Sequence, residues 1–280
     1  MKTRVISGAI LVVIGLVTIW IGGPVLMAVL LFCAETGLME YYRACGLIGK
    51  GKKMPGMVAA SFAGTAVYYC LLLTGMKEHY GVIASLVLVV ILMCYVGAFP
   101  KYRAEQAAEA GFGFFWVAVM LSYIFLIRDE RDGLLNVWLV FLSSWVADTG
   151  AYFVGRACGK HKMTPILSPH KTIEGAVGGI LCAGLSGILF KALVGLLAGL
   201  WPAVFINSDA HMWQYFVVCA AGSVISIFGD LCASAIKRDK GIKDYGKLIP
   251  GHGGILDRFD SVIFTAPIIY FLTQLLLVSH

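Results

Sequence analysis

Apolar runs of about helix length recur along this 280-residue chain, separated by short polar loops. A membrane-crossing helix needs about 20 mostly apolar residues to pass a hydrocarbon core of about 30 Å. Nine runs qualify, near 5–21, 24–42, 57–76, 81–99, 112–127, 133–154, 173–200, 212–236 and 261–278. In lipid every backbone N–H and C=O must find an internal partner, so runs of this kind fold as helices. The expected fold class is therefore all-α, a polytopic integral membrane protein of about nine transmembrane helices. Composition agrees, since 59% of residues are hydrophobic and 14% charged, against roughly 45–50% and 25% in soluble domains. Between the runs lie loops, not domains, so 1–280 reads as a single transmembrane domain.

The second run is the least regular. Gly22-Gly23-Pro24 splits a long apolar stretch, and Glu35 and Glu40 then interrupt it. Either the chain turns at the Gly-Gly-Pro or one long tilted helix crosses once. Basic residues decide between these. With nine spans, eighteen of the 22 Lys and Arg fall on one side. Removing the second span would set Lys2 and Arg4 against every other basic loop. The positive-inside rule then expects nine spans, a cytosolic N-terminus and basic loops, and an outside C-terminus. In a bacterium this is the plasma (inner) membrane. The first run, followed by Gly-Gly-Pro and more apolar sequence, reads as a retained helix and not as a cleaved signal. The net charge of +6 is then loop bias and calls for no nucleic-acid partner. Eight cysteines without a Cys-x-x-Cys pair suggest packing residues instead of zinc or disulfides.

Acids inside spans are costly and usually mark a site. Asp148 ends Leu-Ser-Ser-Trp-Val-Ala-Asp, and Asp230 ends Ser-Ile-Phe-Gly-Asp, each followed by a basic loop. Glu35 carries less weight, because no partner for it can be named.

The densest polar stretch runs from Ser234 to Asp260. A solvated loop would explain its Lys and Arg. It would not explain the interleaved acids or the run Pro250-Gly251-His252-Gly253-Gly254. Clustered glycines let backbone N–H groups turn toward phosphate oxygens. Lys237, Arg238, Lys240, Lys243 and Lys247 supply positive charge for a polyphosphate. Asp257 and Asp260 lie on one helical face, and paired hard carboxylates beside phosphate suit Mg²⁺. A second loop on the same side carries Arg156, Lys160, Lys162 and then Ser168-Pro-His-Lys171-Thr172-Ile-Glu174-Gly175. It has the look of a turn with a helix start near Thr172 and alone names no activity.

Residues 234–260 resemble the signature of the phosphatidate cytidylyltransferase (CDP-diacylglycerol synthase) family. Ser234, Lys237, Arg238, Lys243, Asp244, Gly246, Pro250, His252, Gly253, Gly254, Asp257, Arg258 and Asp260 all fall at matching spacing. Asp148-x-x-Ala-Tyr-Phe-x-Gly and Ser168-Pro-x-Lys171-Thr172-x-Glu-Gly are also similar. The likeness covers the C-terminal half, about 133–280, while the helices of about 1–132 match only in hydropathy. It implies a nine-helix, homodimeric enzyme that moves the cytidylyl group of CTP to phosphatidate and releases pyrophosphate. It also implies Mg²⁺, with room for a second cation such as K⁺.

A phosphomonoester with a second pKa of about 6 is already largely dianionic at neutral pH, so the lipid phosphate needs no strong base. Binding two polyanions and neutralising the leaving group suffice. Asp230, Asp257 and Asp260, with Asp148 as a fourth, are the metal candidates. Lys237, Arg238 and Lys243 are expected to hold the triphosphate, Arg258 phosphate from either substrate, with Asp244, Ser234, Gly253 and Gly254 in the same loop. Ser168, Lys171 and Thr172 bind the lipid phosphate or the nucleotide. His252 either contacts phosphate or shapes the loop.

Three rival readings remain at this point. A CTP-dependent lipid or polyprenol kinase would release CDP. The same reaction on an ether-linked lipid would leave the spans unchanged. A transporter would use Asp148, Asp230 and Glu35 but expects an internal repeat of broken helices, which the sequence lacks.

Overall fold

The computed structural model describes residues 2–49, 51, 53–200, 210–251 and 253–277. His252 therefore lies outside the described residues. The fold is almost entirely helical: α1 (Lys2–Ile21), α2 (Gly23–Ala44), α3 (Gly56–Leu73), α4 (Tyr80–Gly97), α5 (Ala104–Arg128) and α6 (Gly133–Cys158) come first. A short antiparallel hairpin follows, β1 (Lys162–Thr164) with β2 (Ser168–Thr172). Then come α7 (Ile173–Leu200), α8 (Met212–Asp239) and α9 (Leu256–Leu276). Among the described residues, eight of these helices are long and apolar enough to cross a membrane. The remaining one, α1, is apolar from Ser7 to Ile21. At Gly22 the backbone takes φ 68° and ψ −155°, and Gly23 also has positive φ. An L side chain rarely adopts that geometry, so the helix breaks there, and the single long second helix is excluded.

The chain divides into two compact units, Met1–Leu126 with Lys237–Phe259, and Ile127–Ile236 with Asp260–His280. These units cut across the expected halves, 1–132 and 133–280, in one respect. The loop that carries the signature belongs to the unit of the N-terminal helices.

In the first unit, close packing rests on small residues and buried tyrosines. A Cβ built on Gly113 would sit 2.7 Å from the rings of Tyr41 and Tyr42, and one on Gly64 would overlap Val87. Within α5, Phe114–Val119 winds as a π-helix, which loosens the regular ladder of carbonyls. Buried hydroxyls meet α5 in and just before that stretch: Tyr69 donates to the Ala118 carbonyl at 3.0 Å, and Tyr42 to the Ala110 carbonyl at 2.7 Å. A buried Tyr O–H needs such a partner.

In the second unit, α6 and α7 approach through glycines. A Cβ on Gly179 would lie 2.6 Å from the Ala147 carbonyl oxygen, one on Gly178 2.6 Å from Val154, and one on Gly150 2.8 Å from Cys182. Small residues at such crossings let helix backbones pack closely in lipid. Gly175, Gly178 and Gly179 serve that crossing, Gly184 and Gly187 meet Phe216 and Tyr215 of α8 instead, and α7 runs unbroken for 28 residues. A second π-helical turn, Leu142–Val146, lies just before Asp148 in α6. Lys191, buried in α7, has its ammonium 5.5 Å from the Tyr215 ring centre.

Candidate active site

The signature loop of the first unit is tied down by two carboxylates. Asp257, in the first turn of α9, has a side chain only 2% exposed. Its Oδ1 accepts from Lys237 Nζ at 3.0 Å, and its Oδ2 accepts from the Tyr245 N–H at 2.9 Å and the Gly254 N–H at 3.0 Å. The Lys237 ammonium also lies 5.4 Å from the Tyr245 ring centre. Glu40, near the end of α2, is 4% exposed. It accepts from the Ile255 N–H at 3.1 Å and the Leu256 N–H at 2.9 Å. Gly251 and Gly253 turn with φ of 79° and 89°. Across that turn the Ile249 N–H donates to the Gly253 carbonyl at 2.9 Å.

The folded loop borders an open pocket of about 710 Å³ lined by Lys243, Asp244, Gly246, Lys247, Ile249, Gly251, Gly253 and Arg258. Three cationic side chains and exposed glycine backbone against one carboxylate make an anion-binding surface. The expected phosphate-binding cations therefore separate into two groups. Lys243 and Arg258 line the cavity with Lys247, whereas Lys237 is committed to Asp257. Lys240 is committed to Glu109 at 2.8 Å, and that hydrogen bond raises the pKa of its ammonium. Arg238 is exposed and Ser234 half-buried, and neither belongs to the cavity lining.

The second unit gathers the other acids. The Lys171 ammonium pairs with the Asp230 carboxylate, and Asp148 is within electrostatic reach of both. These three come from different elements, far apart in sequence, and the fold brings them together. Thr172 is buried and its Oγ1 accepts from the Gly175 N–H at 3.1 Å, which caps α7 in the manner favoured for Thr. Ser168 opens β2 and is half-buried. Glu174 accepts from the Lys160 and His161 N–H groups at 3.1 and 3.2 Å and meets His161 Nδ1 at 2.6 Å. Asp260 is buried, and its Oδ1 accepts from the Ser261 N–H at 2.8 Å.

Among the described residues, no three His, Cys, Asp or Glu side chains converge as a preformed metal cage. Mg²⁺ does not require one, since it is usually held by one or two carboxylates plus substrate phosphates and water. Asp148 and Asp230 offer that donor set, with Lys171 balancing the charge. Asp257 already carries three protein donors. Three residues that organise these sites had no role assigned from sequence: Glu40, Glu109 and Glu174. Two of them left a signal, Glu40 as an acid near the end of an apolar run and Glu174 within the 168–175 segment.

Apolar spans bearing a basic, glycine-walled cavity and paired acids define an integral membrane protein built to handle phosphorylated ligands. The sequence model of the cytidylyltransferase family matches residues 2–276. The chain is 31% identical over 270 residues to the phosphatidate cytidylyltransferase of Staphylococcus saprophyticus, covering 96% of this chain and 97% of that one. It is 33% identical over 273 residues to the enzyme of that name from Staphylococcus epidermidis, and 32% over 276 residues to that of Staphylococcus aureus, with the same coverage. The chain belongs to the phosphatidate cytidylyltransferase (CDP-diacylglycerol synthase) family and is a nucleotidyltransferase of lipid metabolism.

Proposed function

We propose that this protein joins CTP to phosphatidate, forming CDP-diacylglycerol and pyrophosphate. The observation that carries the reading is the basic cavity of the signature loop, walled by Lys243, Lys247, Arg258 and glycine backbone. Such a surface suits a triphosphate, whose charge the three cations offset. The lipid phosphate oxygen forms the new bond to the α-phosphorus of CTP as the bond to the pyrophosphate oxygen breaks. Because the phosphomonoester is largely dianionic at neutral pH, no side chain need take a proton from it. Lys243, Lys247 and Arg258 hold the leaving pyrophosphate and spread its charge. Mg²⁺ would supply Lewis-acid polarisation of the phosphoryl oxygens it binds, and within the second unit Asp148 and Asp230 are the carboxylates suited to hold such an ion. Positive-inside bias puts these loops in the cytosol, where CTP arrives from water while the acyl chains stay in the bilayer.

The test is product analysis with purified protein in detergent, CTP, Mg²⁺ and phosphatidate. Pyrophosphate and a CDP-lipid are expected in equal amounts. CDP with a phosphorylated lipid would instead make the protein a kinase, and absence of turnover by folded protein would remove the reading.

A further inference from the structure

The N-terminus of α9 lacks a cap of its own. A helix start leaves N–H groups without partners, usually met by Ser, Thr, Asp or Asn just before the first turn. Here the residues before Leu256 are Gly253, Gly254 and Ile255, none with a side-chain oxygen. Asp257 lies inside the first turn, and its carboxylate reaches back to Tyr245 and Gly254. The two N–H groups of Ile255 and Leu256 are met by Glu40, which is 215 residues distant from Ile255 in sequence.

A second observation points to the same carboxylate. A Cβ built on Gly246 or Gly254 would overlap the Glu40 side chain, and for both positions the three nearest atoms are all from Glu40. Neither glycine has the positive φ that would by itself demand glycine. At both positions the atoms nearest to an added side chain are those of Glu40. Gly246 also lines the cavity, so Glu40 touches its wall from behind.

We infer that Glu40 is a positioning residue for the nucleotide site: from α2 it caps α9 and fixes the glycine wall on which the triphosphate rests. This deepens the proposed function and rests on that reading of the cavity. Glu40 contacts no reacting atom. It acts through Gly246, Gly254, Ile255 and Leu256. Its two carboxyl oxygens meet the N–H groups of Ile255 and Leu256, donors that a helix start leaves without partners.

The full-length protein in detergent is compared with Glu40→Gln, Glu40→Ala, Gly246→Ala and the pair Glu40→Ala with Gly246→Ala. Kinetics at saturating phosphatidate and amide hydrogen exchange over 253–258 are both read. In Glu40→Gln one acceptor is lost, so the KM for CTP should rise roughly ten-fold or more while kcat changes less. Exchange at 255 and 256 should accelerate. Gly246→Ala should impair CTP use strongly alone but only about two-fold further when added to Glu40→Ala, because the obstructing carboxylate is gone. Glu35→Gln, an acid of the same helix, should leave every reading at the parent level. Parental KM and parental exchange in Glu40→Gln would overturn the inference, as would an undiminished Gly246→Ala effect without Glu40. If the parent makes no CDP-lipid, the proposed function fails, and the exchange data still decide the role of Glu40.

Discussion

Lys237 and Lys243 carry the same charge in the same loop, and their surroundings give them different tasks. Lys237 is 13% exposed and paired with an almost fully buried Asp257. Lys243 is exposed on the cavity wall. Removing one partner of a buried pair leaves an unsatisfied charge at a cost of about 3–5 kcal/mol; two backbone N–H groups still hold Asp257, so Lys237→Ala should lose about 2–3 kcal/mol of stability. Lys243→Ala should leave the unfolding temperature unchanged and raise the KM for CTP. Thermal unfolding in detergent beside CTP titration checks both, and equal unfolding shifts in the two variants would contradict the division. The sequence showed that the loop was basic but not which cations were already spent. Glu109 lies 131 residues from Lys240 and Glu40 215 from Ile255, and no local pattern links such pairs.

At the scale of elements, hydropathy made the helices legible because lipid permits little else. Their irregularities were not. The π-helical stretches Phe114–Val119 and Leu142–Val146 sit in sequence that reads as ordinary apolar helix, since the extra residue per turn changes no composition. The glycines of α7 were visible but ambiguous between a bend and a crossing. Their neighbours decide for the crossing: Gly179 faces the Ala147 carbonyl and Gly178 faces Val154. Forcing a side chain into such a contact moves backbone or a packed neighbour and costs about 1–3 kcal/mol. Gly179→Ala should therefore lower the unfolding temperature in detergent. Gly199→Ala, at a position with nothing within 4 Å of its built Cβ, should not. A matching loss in both variants would contradict the crossing, since helix propensity alone favours alanine at either position.

For the whole molecule, the all-α polytopic class followed from sequence, with eight of the described helices long and apolar enough to span, whereas the grouping of the loop 237–259 with the N-terminal unit did not. Glu40, which in sequence only interrupts an apolar run, helps tie the loop there, together with Glu109 paired to Lys240 and Trp116 packed on Tyr245. Orientation rests on a different kind of reasoning, because charge bias acts during insertion and not through contacts in the folded state. Eighteen of the 22 Lys and Arg lie in the N-terminal segment and alternate loops of a nine-span chain, and such loops stay on the cytosolic side. A single cysteine is therefore introduced at Lys101, Lys247 or Met76, all exposed positions, in a chain whose eight native cysteines are replaced by serine or alanine. In intact cells an impermeant maleimide should label position 76 alone. Positions 101 and 247 should react only after the membrane is opened. Labelling of 247 from outside would put the cavity on the side without CTP, and the proposed reaction could then not run where its nucleotide is found.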